Sequence, residues 1–343
     1  MQYRTLGSTG TVVSAQCLGT MTFGHESDEE TAHAQLDRFV ELGGNFVDTA
    51  DVYTAGRSEE IIGRWLARTR QRDRLVIATK GRFPMGGPDD TGPNDAGLSR
   101  THLGRALDAS LRRLGVDAVD LYQAHAWDPL TPIEETLAFF DDAVRAGKIR
   151  YAGVSNFVGW QLQKAALLAS DTAPIVTLQP QYNLLARDIE FELVDVCLGE
   201  DIGMLPWSPL AGGWLTGKYT RDTAPSGATR LGEDPARGME AYGPRAAQER
   251  TWRIIDAVRE VAESRGVPMS QVALAWVAAR PAVTSVILGA RTLSQLDDNL
   301  AAADLRLSDK ETQLLTDVSA PLVADYPYGR PGVEQRARGL GSA

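Results

Sequence analysis

Short apolar runs alternate eight times with helix-patterned stretches along this 343-residue chain, and that rhythm constrains the fold more than any other feature. The runs are Ala15 to Gly19, Asn45 to Thr49, Leu75 to Lys80, Ala118 to His125, Tyr151 to Ser155, Val176 to Pro180, Met204 to Ser208 and Ser285 to Gly289. Runs this short, bounded by turn residues, read as buried strands. The stretches between them carry helical spacing and helical punctuation. Ser27 to Glu30 forms a capping-box pattern ahead of Leu36, Phe39 and Val40, and Gly43 supplies the stop. Thr131-Pro132-Ile133-Glu134 repeats the pattern with proline at the first helical position, and Gly147 ends that helix. Ser99 likewise precedes Leu103, Leu107, Leu111 and Leu114, with Gly115 behind.

Strand and helix alternating at roughly thirty residues per unit, eight times over, predict an α/β chain folded as a (β/α)8 TIM barrel. A doubly wound open sheet is the rival, but no Gly-x-Gly-x-x-Gly follows the first strand. We therefore expect a single domain over 1–343. Residues 1–14 form an N-terminal β-hairpin around Gly7-Ser8-Thr9-Gly10. Phe83 to Gly97 and the 220–244 insertion, both rich in Gly and Pro, follow strand ends, where barrel loops reach the active face or merely decorate the surface. The tail, 320–343, is expected to be irregular.

The net charge of −10 and pI near 5.0 argue against nucleic acid or an anionic membrane as main partner, while leaving room for a local basic pocket. No apolar run approaches the length needed to span a bilayer, and the first residues lack the apolar core of a signal peptide, so a cytoplasmic protein is expected. Cys17 and Cys197 are far apart and read as buried free thiols. The four histidines, His25, His33, His102 and His125, show no close ligand spacing, so no metal site is expected.

In a parallel barrel the carboxyl ends of all strands converge on one face, so polar residues that end different strands become neighbours. Asp48 ends the second run, Lys80 the third and His125 the fourth, and Tyr53 hangs from the loop after Asp48. Each alone has a plain structural explanation: a turn-forming Asp, a snorkelling Lys, a satisfied His, a packed Tyr. Together they make four proton-handling groups aimed at one place.

Several ordered motifs carry a resemblance to the aldo-keto reductases. They are Gly19-Thr20-Met21-Thr22-Phe23-Gly24, Asp48-Thr49-Ala50-Asp51-Val52-Tyr53, Ala78-Thr79-Lys80, Gly153-Val154-Ser155-Asn156-Phe157, Gln179-Pro180-Gln181-Tyr182-Asn183 and Gly289-Ala290-Arg291. The chain resembles that superfamily over essentially residues 1 to 315, and is also similar to its potassium-channel beta subunits. The resemblance implies an NADP(H)-dependent oxidoreductase that reduces a small carbonyl substrate. Hydride transfer to a carbonyl builds negative charge on oxygen and needs a proton donor beside it. Tyr53 is the candidate donor, with its pKa of about 10 lowered by the Lys80 ammonium, Asp48 holding Lys80, and His125 orienting the substrate oxygen, the same roles that the resemblance assigns. Ser155, Asn156 and Gln179 would by themselves read as buried turn residues; the resemblance assigns them to the nicotinamide carboxamide. It likewise puts Gly19, Thr20, Met21, Pro209, Gly212, Gly289, Gln295 and Asn299 in the cofactor shell. Trp207 stands where similar proteins usually carry tyrosine against the nicotinamide ring.

Gly212-Gly213-Trp214-Leu215-Thr216-Gly217-Lys218-Tyr219 fits Gly-x4-Gly-Lys, but Tyr219 replaces the magnesium-binding Ser or Thr, and no helical pattern follows. A phosphate-loop NTPase is thereby set aside. Ser208, Leu210 and Lys218 are read as pyrophosphate contacts, and Arg291 at a helix start as a partner for a 2′-phosphate, which favours NADPH. Phe23, Trp127 and Phe157, with Trp214 as a further candidate, are expected to line an apolar substrate mouth. The competing reading is a cofactor-binding regulatory or sensor subunit acting through protein contacts. Substrate identity and the choice between monomer and homo-oligomer stay open.

Overall fold

The eight apolar runs form one sheet. A computed structural model describes residues 1–86, 92–221, 223–227, 229–236 and 238–337. The predicted segments 83–97, 220–244 and 320–343 therefore lie partly outside the described residues. Strands β1 (Tyr3–Thr5) and β2 (Val12–Ser14) make the antiparallel hairpin. Strands β3 (Gln16–Gly19), β4 (Phe46–Asp48), β5 (Val76–Gly81), β6 (Val119–Ala124), β7 (Ile149–Ser155), β8 (Ile175–Gln179), β9 (Gly203–Met204) and β10 (Val286–Leu288) follow in chain order. They pair in parallel in the order β10-β3-β4-β5-β6-β7-β8-β9. A Met204–Val283 bridge, with the Ile287 N–H donating to the Pro206 carbonyl at 3.0 Å, joins the last strand to the first and closes the (β/α)8 barrel.

Strand geometry explains both the filling and the polar top of this barrel, because alternate residues face inward. Cys17, Phe46, Ala78 and Leu121 pack inside with Val176, Leu205 and Ile287. Two residues further along their strands come Gly19, Asp48, Lys80 and Gln123, so an apolar layer gives way to a polar one on the same inward face. Leu6 and Val13 from the hairpin belong to the same interior cluster and plug the opposite end. The second, larger apolar layer lies between the strands and the helices.

Helix starts show where local signals compete. Asp28, rather than Ser27, caps the helix Glu29–Glu41, accepting from the Thr31 N–H at 2.9 Å. The Ser27 hydroxyl instead donates to the Arg291 carbonyl. Pro132 occupies the cap of helix Ile133–Arg145 with extended ψ, one position earlier than expected, because the Thr131 hydroxyl donates to Asp128 at 2.6 Å. Ser99 caps Arg100–Leu114 as expected, and Gly115 ends that helix at φ 66. β9 is shorter than the run Met204 to Ser208 because Pro206 has no N–H to give, yet Leu205 and Trp207 still donate to Leu178 and Pro180. Within the expected irregular tail lies one short helix, Arg330–Arg336, too brief for a periodic signal. Among the described residues no helix is long and apolar enough to cross a membrane.

Candidate functional site

Asp48, Tyr53, Lys80 and His125 meet at the carboxyl end of the barrel. The Lys80 ammonium donates to Asp48 Oδ1 at 2.5 Å, to the Thr49 carbonyl at 2.8 Å and to the Tyr53 hydroxyl oxygen at 3.2 Å. Lys80 and Asp48 are both buried, 0% and 1% exposed, so the pair survives only because every charged atom has a close partner. Asp48 Oδ2 accepts from Gln179 Nε2 at 2.9 Å and from Gln123 Nε2 at 3.3 Å. Burial opposes the ammonium of Lys80, but Asp48 and Tyr53 outweigh it, and its pKa ends above the usual lysine value.

Tyr53 sits at the start of a short turn in which Thr54 and Ala55 both hold left-handed backbone, at φ 49 and φ 51. Such strain in non-glycine residues needs outside support. The Thr54 hydroxyl gives it by donating to the Phe23 carbonyl at 3.0 Å. Burial raises the Tyr53 phenol above its ordinary pKa, and Lys80 pulls against that rise without cancelling it. The expected net lowering is thus reversed in direction, since desolvation of the phenolate exceeds the pull of an ammonium that Asp48 already neutralises.

The His125 ring meets Tyr53 edge-on at 5.9 Å between centroids and Phe83 at 4.8 Å. Burial, then Lys80 and Arg82, holds its imidazole well below the usual pKa, so the ring is neutral near pH 7. A neutral imidazole still offers one N–H donor. Phe83, Gln123 and Asp51 are site neighbours that the sequence reading passed over. Gln123 was within reach of the period-two pattern ending at His125, whereas Phe83 lies in an aperiodic loop.

The residues expected around a cofactor fall into three groups. At the first, Ser155 donates to the Gln179 carbonyl, and Asn156, at φ 56, donates to the His125 carbonyl while accepting from Trp207 Nε1 at 3.1 Å. Gly19 and Thr20 lie against Asp48, the Thr20 hydroxyl donating to its carbonyl, and Met21 is exposed. The second group is the turn after Trp207, where Ser208, Ala211, Gly212 and Gly213 all have positive φ and Pro209 and Leu210 lie between. Ser208 donates to Glu240. The third is the helix start after β10. Arg291 pairs with Glu233 at 2.5 Å and Glu26 at 3.5 Å, and its N–H donates to Gln295. Asn299 donates to the Gly289 carbonyl.

Lys218 links the second group to the third. Burial lowers its pKa first, and Arg291 and Arg230 lower it further, so three cations crowd one region. Crowded cations beside a turn rich in left-handed residues suit a polyanion such as a dinucleotide pyrophosphate. The donor set therefore fits a nicotinamide dinucleotide. Of the expected substrate-facing aromatics, Phe23 and Phe157 are buried at 0% and 2%, whereas Trp127 stays partly exposed, edge-on to Phe157 and Trp160. Trp214 is not at the mouth: it is fully buried, stacked on Tyr242 and bonded to the Glu240 carbonyl.

The carboxyl face of a parallel barrel thus carries a buried Asp–Lys pair touching a tyrosine. The aldo/keto reductase family pattern matches residues 16–320. An uncharacterized oxidoreductase, YrpG, of Bacillus subtilis is 39% identical over 93% of this chain and 96% of its own. A probable voltage-gated potassium channel subunit beta of Arabidopsis thaliana is 37% identical over 89% and 92%. Versiconal hemiacetal acetate reductase of Aspergillus parasiticus is 33% identical over 94% and 98%. The chain belongs to the aldo/keto reductase family, oxidoreductases that act on small carbonyl substrates.

Proposed function

We propose that the protein reduces an aldehyde or ketone to the alcohol with NADPH, reversibly, and that Tyr53 is the general acid. The observation that carries this reading is the Lys80 ammonium shared between buried Asp48 and the Tyr53 phenol. The bound nicotinamide supplies the hydride. His125 gives its N–H to the carbonyl oxygen and Tyr53 gives its proton as charge develops there. Lys80, 3.2 Å from the phenol oxygen, then stabilises the phenolate left behind, and Asp48 keeps Lys80 charged. A phenol held above its ordinary pKa stays protonated through the neutral range, which suits the reductive direction.

Ser155, Asn156 and Gln179 are taken to hold the carboxamide, Trp207 to stack on the ring, Ser208, Leu210 and Lys218 to meet the pyrophosphate, and Arg291 to meet the 2′-phosphate. Phe83 and Trp127 provide ring surface for the carbon skeleton. A panel of aromatic and aliphatic aldehydes and ketones, scored by loss of reduced-nicotinamide absorbance with NADPH and separately with NADH, tests this reading. Turnover with NADPH exceeding that with NADH is expected. No turnover with either cofactor across the panel would overturn it.

A further inference from the structure

The proposed acid stands on strained backbone. Thr54, Ala55 and Gly56 follow Tyr53 in left-handed conformation, at φ 49, 51 and 90. Residues other than glycine hold such angles only where their surroundings over-determine them. One support is the Thr54 bond to the Phe23 carbonyl. A second comes from the helix Arg100–Leu114. The Arg113 stem lies so close to the Gly56 backbone that a Cβ there would sit 2.8 Å from Arg113 Cδ and Nε.

Glu59 keeps Arg113 in that place. It lies in the first turn of the helix Arg57–Thr69, three residues past Gly56, and is fully buried. Its Oε2 is 2.7 Å from both Nε and Nη2 of Arg113, and its Oε1 accepts from the Thr79 hydroxyl at 2.5 Å. Thr79 immediately precedes Lys80 in β5, so the two side chains leave the strand on opposite faces. One carboxylate therefore ties the turn that carries Tyr53 to the strand that carries Lys80. A Cβ at Gly63 would lie 2.3 Å from the Arg113 carbonyl oxygen, so the two helices meet backbone to backbone and the Arg113 side chain springs from a fixed base.

A buried carboxylate–guanidinium pair is a poor stabilising device, because desolvation offsets its attraction; what it can add is fixed geometry. The distance at stake is the 3.2 Å between the Lys80 ammonium and the Tyr53 hydroxyl. Misplacing a reacting group by about 1 Å costs on the order of a hundredfold in rate. We propose that Glu59, acting through Arg113 and Thr79, is a positioning residue for the reduction: it holds the Tyr53 turn in register with Lys80, so that the phenol meets the substrate oxygen in one place. This inference rests on Tyr53 being the general acid.

The test compares wild type with Glu59→Leu and Glu59→Gln. Leucine removes both bonds yet leaves Arg113, whose side chain is 18% exposed, able to reach water, whereas removing Arg113 would strand a buried carboxylate. Glutamine keeps an oxygen to accept from Arg113 and Thr79. Single-turnover reduction of a reactive aldehyde by the NADPH complex is timed in H2O and D2O on the pH-independent plateau, and NADPH affinity is measured by fluorescence. In Glu59→Leu the rate should fall about tenfold or more while NADPH affinity changes by less than about twofold. Its solvent isotope effect should rise about 1.5-fold over wild type, since proton transfer from a misplaced phenol limits the rate more. Glu59→Gln should restore most of the rate and the wild-type isotope effect. A merely structural role lowers the active fraction and leaves the isotope effect unchanged; that result, or a wild-type rate in folded Glu59→Leu, would overturn the proposal. If Glu59→Leu does not fold, Gly56→Ala, which displaces the Arg113 stem, is judged by the same rate and isotope criteria. A crystal structure of the variant measures position without turnover: a Lys80–Tyr53 separation beyond hydrogen-bond reach supports the inference, and an unchanged contact contradicts it. Wild type inactive on every carbonyl counts against the reductase reading, whereas an active wild type with an unaltered variant counts against this inference alone.

Discussion

Asp51 carries the sharpest consequence at the scale of single residues. Burial, then the charge of Glu59, raises its carboxyl to about 7, against the opposing effect of the Val52 N–H, which donates to it, and of Arg113 and Lys80; the Tyr53 and Tyr122 phenols feel its charge in turn. Between pH 4 and 7 the folded chain keeps a proton that the unfolded chain releases, so stability falls as pH rises through this window. Above pH 7 the cost is on the order of 4 kcal/mol, since each pH unit crossed between the unfolded and folded pKa values removes about 1.4 kcal/mol. Asp51→Asn removes the titration. Urea unfolding should show the variant more stable than wild type at pH 8, with the advantage gone by pH 4; an advantage independent of pH would contradict the assignment. The sequence made Asp48, Lys80, His125 and Tyr53 legible as neighbours, because three of them end strands. It did not reveal Asp51, since nothing in a string of residues says that a carboxyl group in a loop will be buried. Nor did it reveal the raised pKa of Tyr53, which depends on how far burial outweighs one neighbouring charge.

Among the elements, the strands were legible and their ends less so. Short apolar runs and flanking turn residues located all eight barrel strands, but the helix caps at Asp28 and Pro132 moved by one position. Their neighbours Ser27 and Thr131 are drawn off by the Arg291 carbonyl and by Asp128, tertiary contacts invisible to a local motif. Two glycines test how tightly these elements meet. At Gly153 in β7 an added Cβ would lie 2.2 Å from Thr177 Oγ1 and 3.2 Å from Gln123 Cγ, and Gln123 also donates to Asp48. Gly153→Ala should cost about 1–3 kcal/mol through overpacking. At Gly104, in the middle of helix Arg100–Leu114, nothing lies within 4 Å of the added carbon. Gly104→Ala should therefore stabilise by about 0.5–1 kcal/mol. Denaturant midpoints of the two variants are expected to move in opposite directions, and a shared direction would show that strand packing is looser than the contacts imply.

For the whole molecule, closure of the barrel is what turns scattered strand ends into one site. The hairpin contributes from below: Leu6 is fully buried in the barrel-interior cluster, so Leu6→Ala should cost about 2–5 kcal/mol. Thermal unfolding of that variant measures whether the plug is integral to the barrel, and an unchanged midpoint would show that it is not. The overall architecture was legible because eight repeated units leave few alternatives, whereas the burial of Phe23, Phe157 and Trp214 was not, since aromatic residues near strand ends serve packing and binding equally well. The central claim is that Tyr53 delivers the proton while other residues hold the cofactor. It is tested most directly by measuring NADPH oxidation on a reactive aldehyde, and NADPH binding by fluorescence, in wild type and Tyr53→Phe. The account predicts loss of turnover by at least a hundredfold, the scale of general acid catalysis, with NADPH affinity changed by less than about twofold. Near-normal turnover in a Tyr53→Phe protein that still binds NADPH would contradict it.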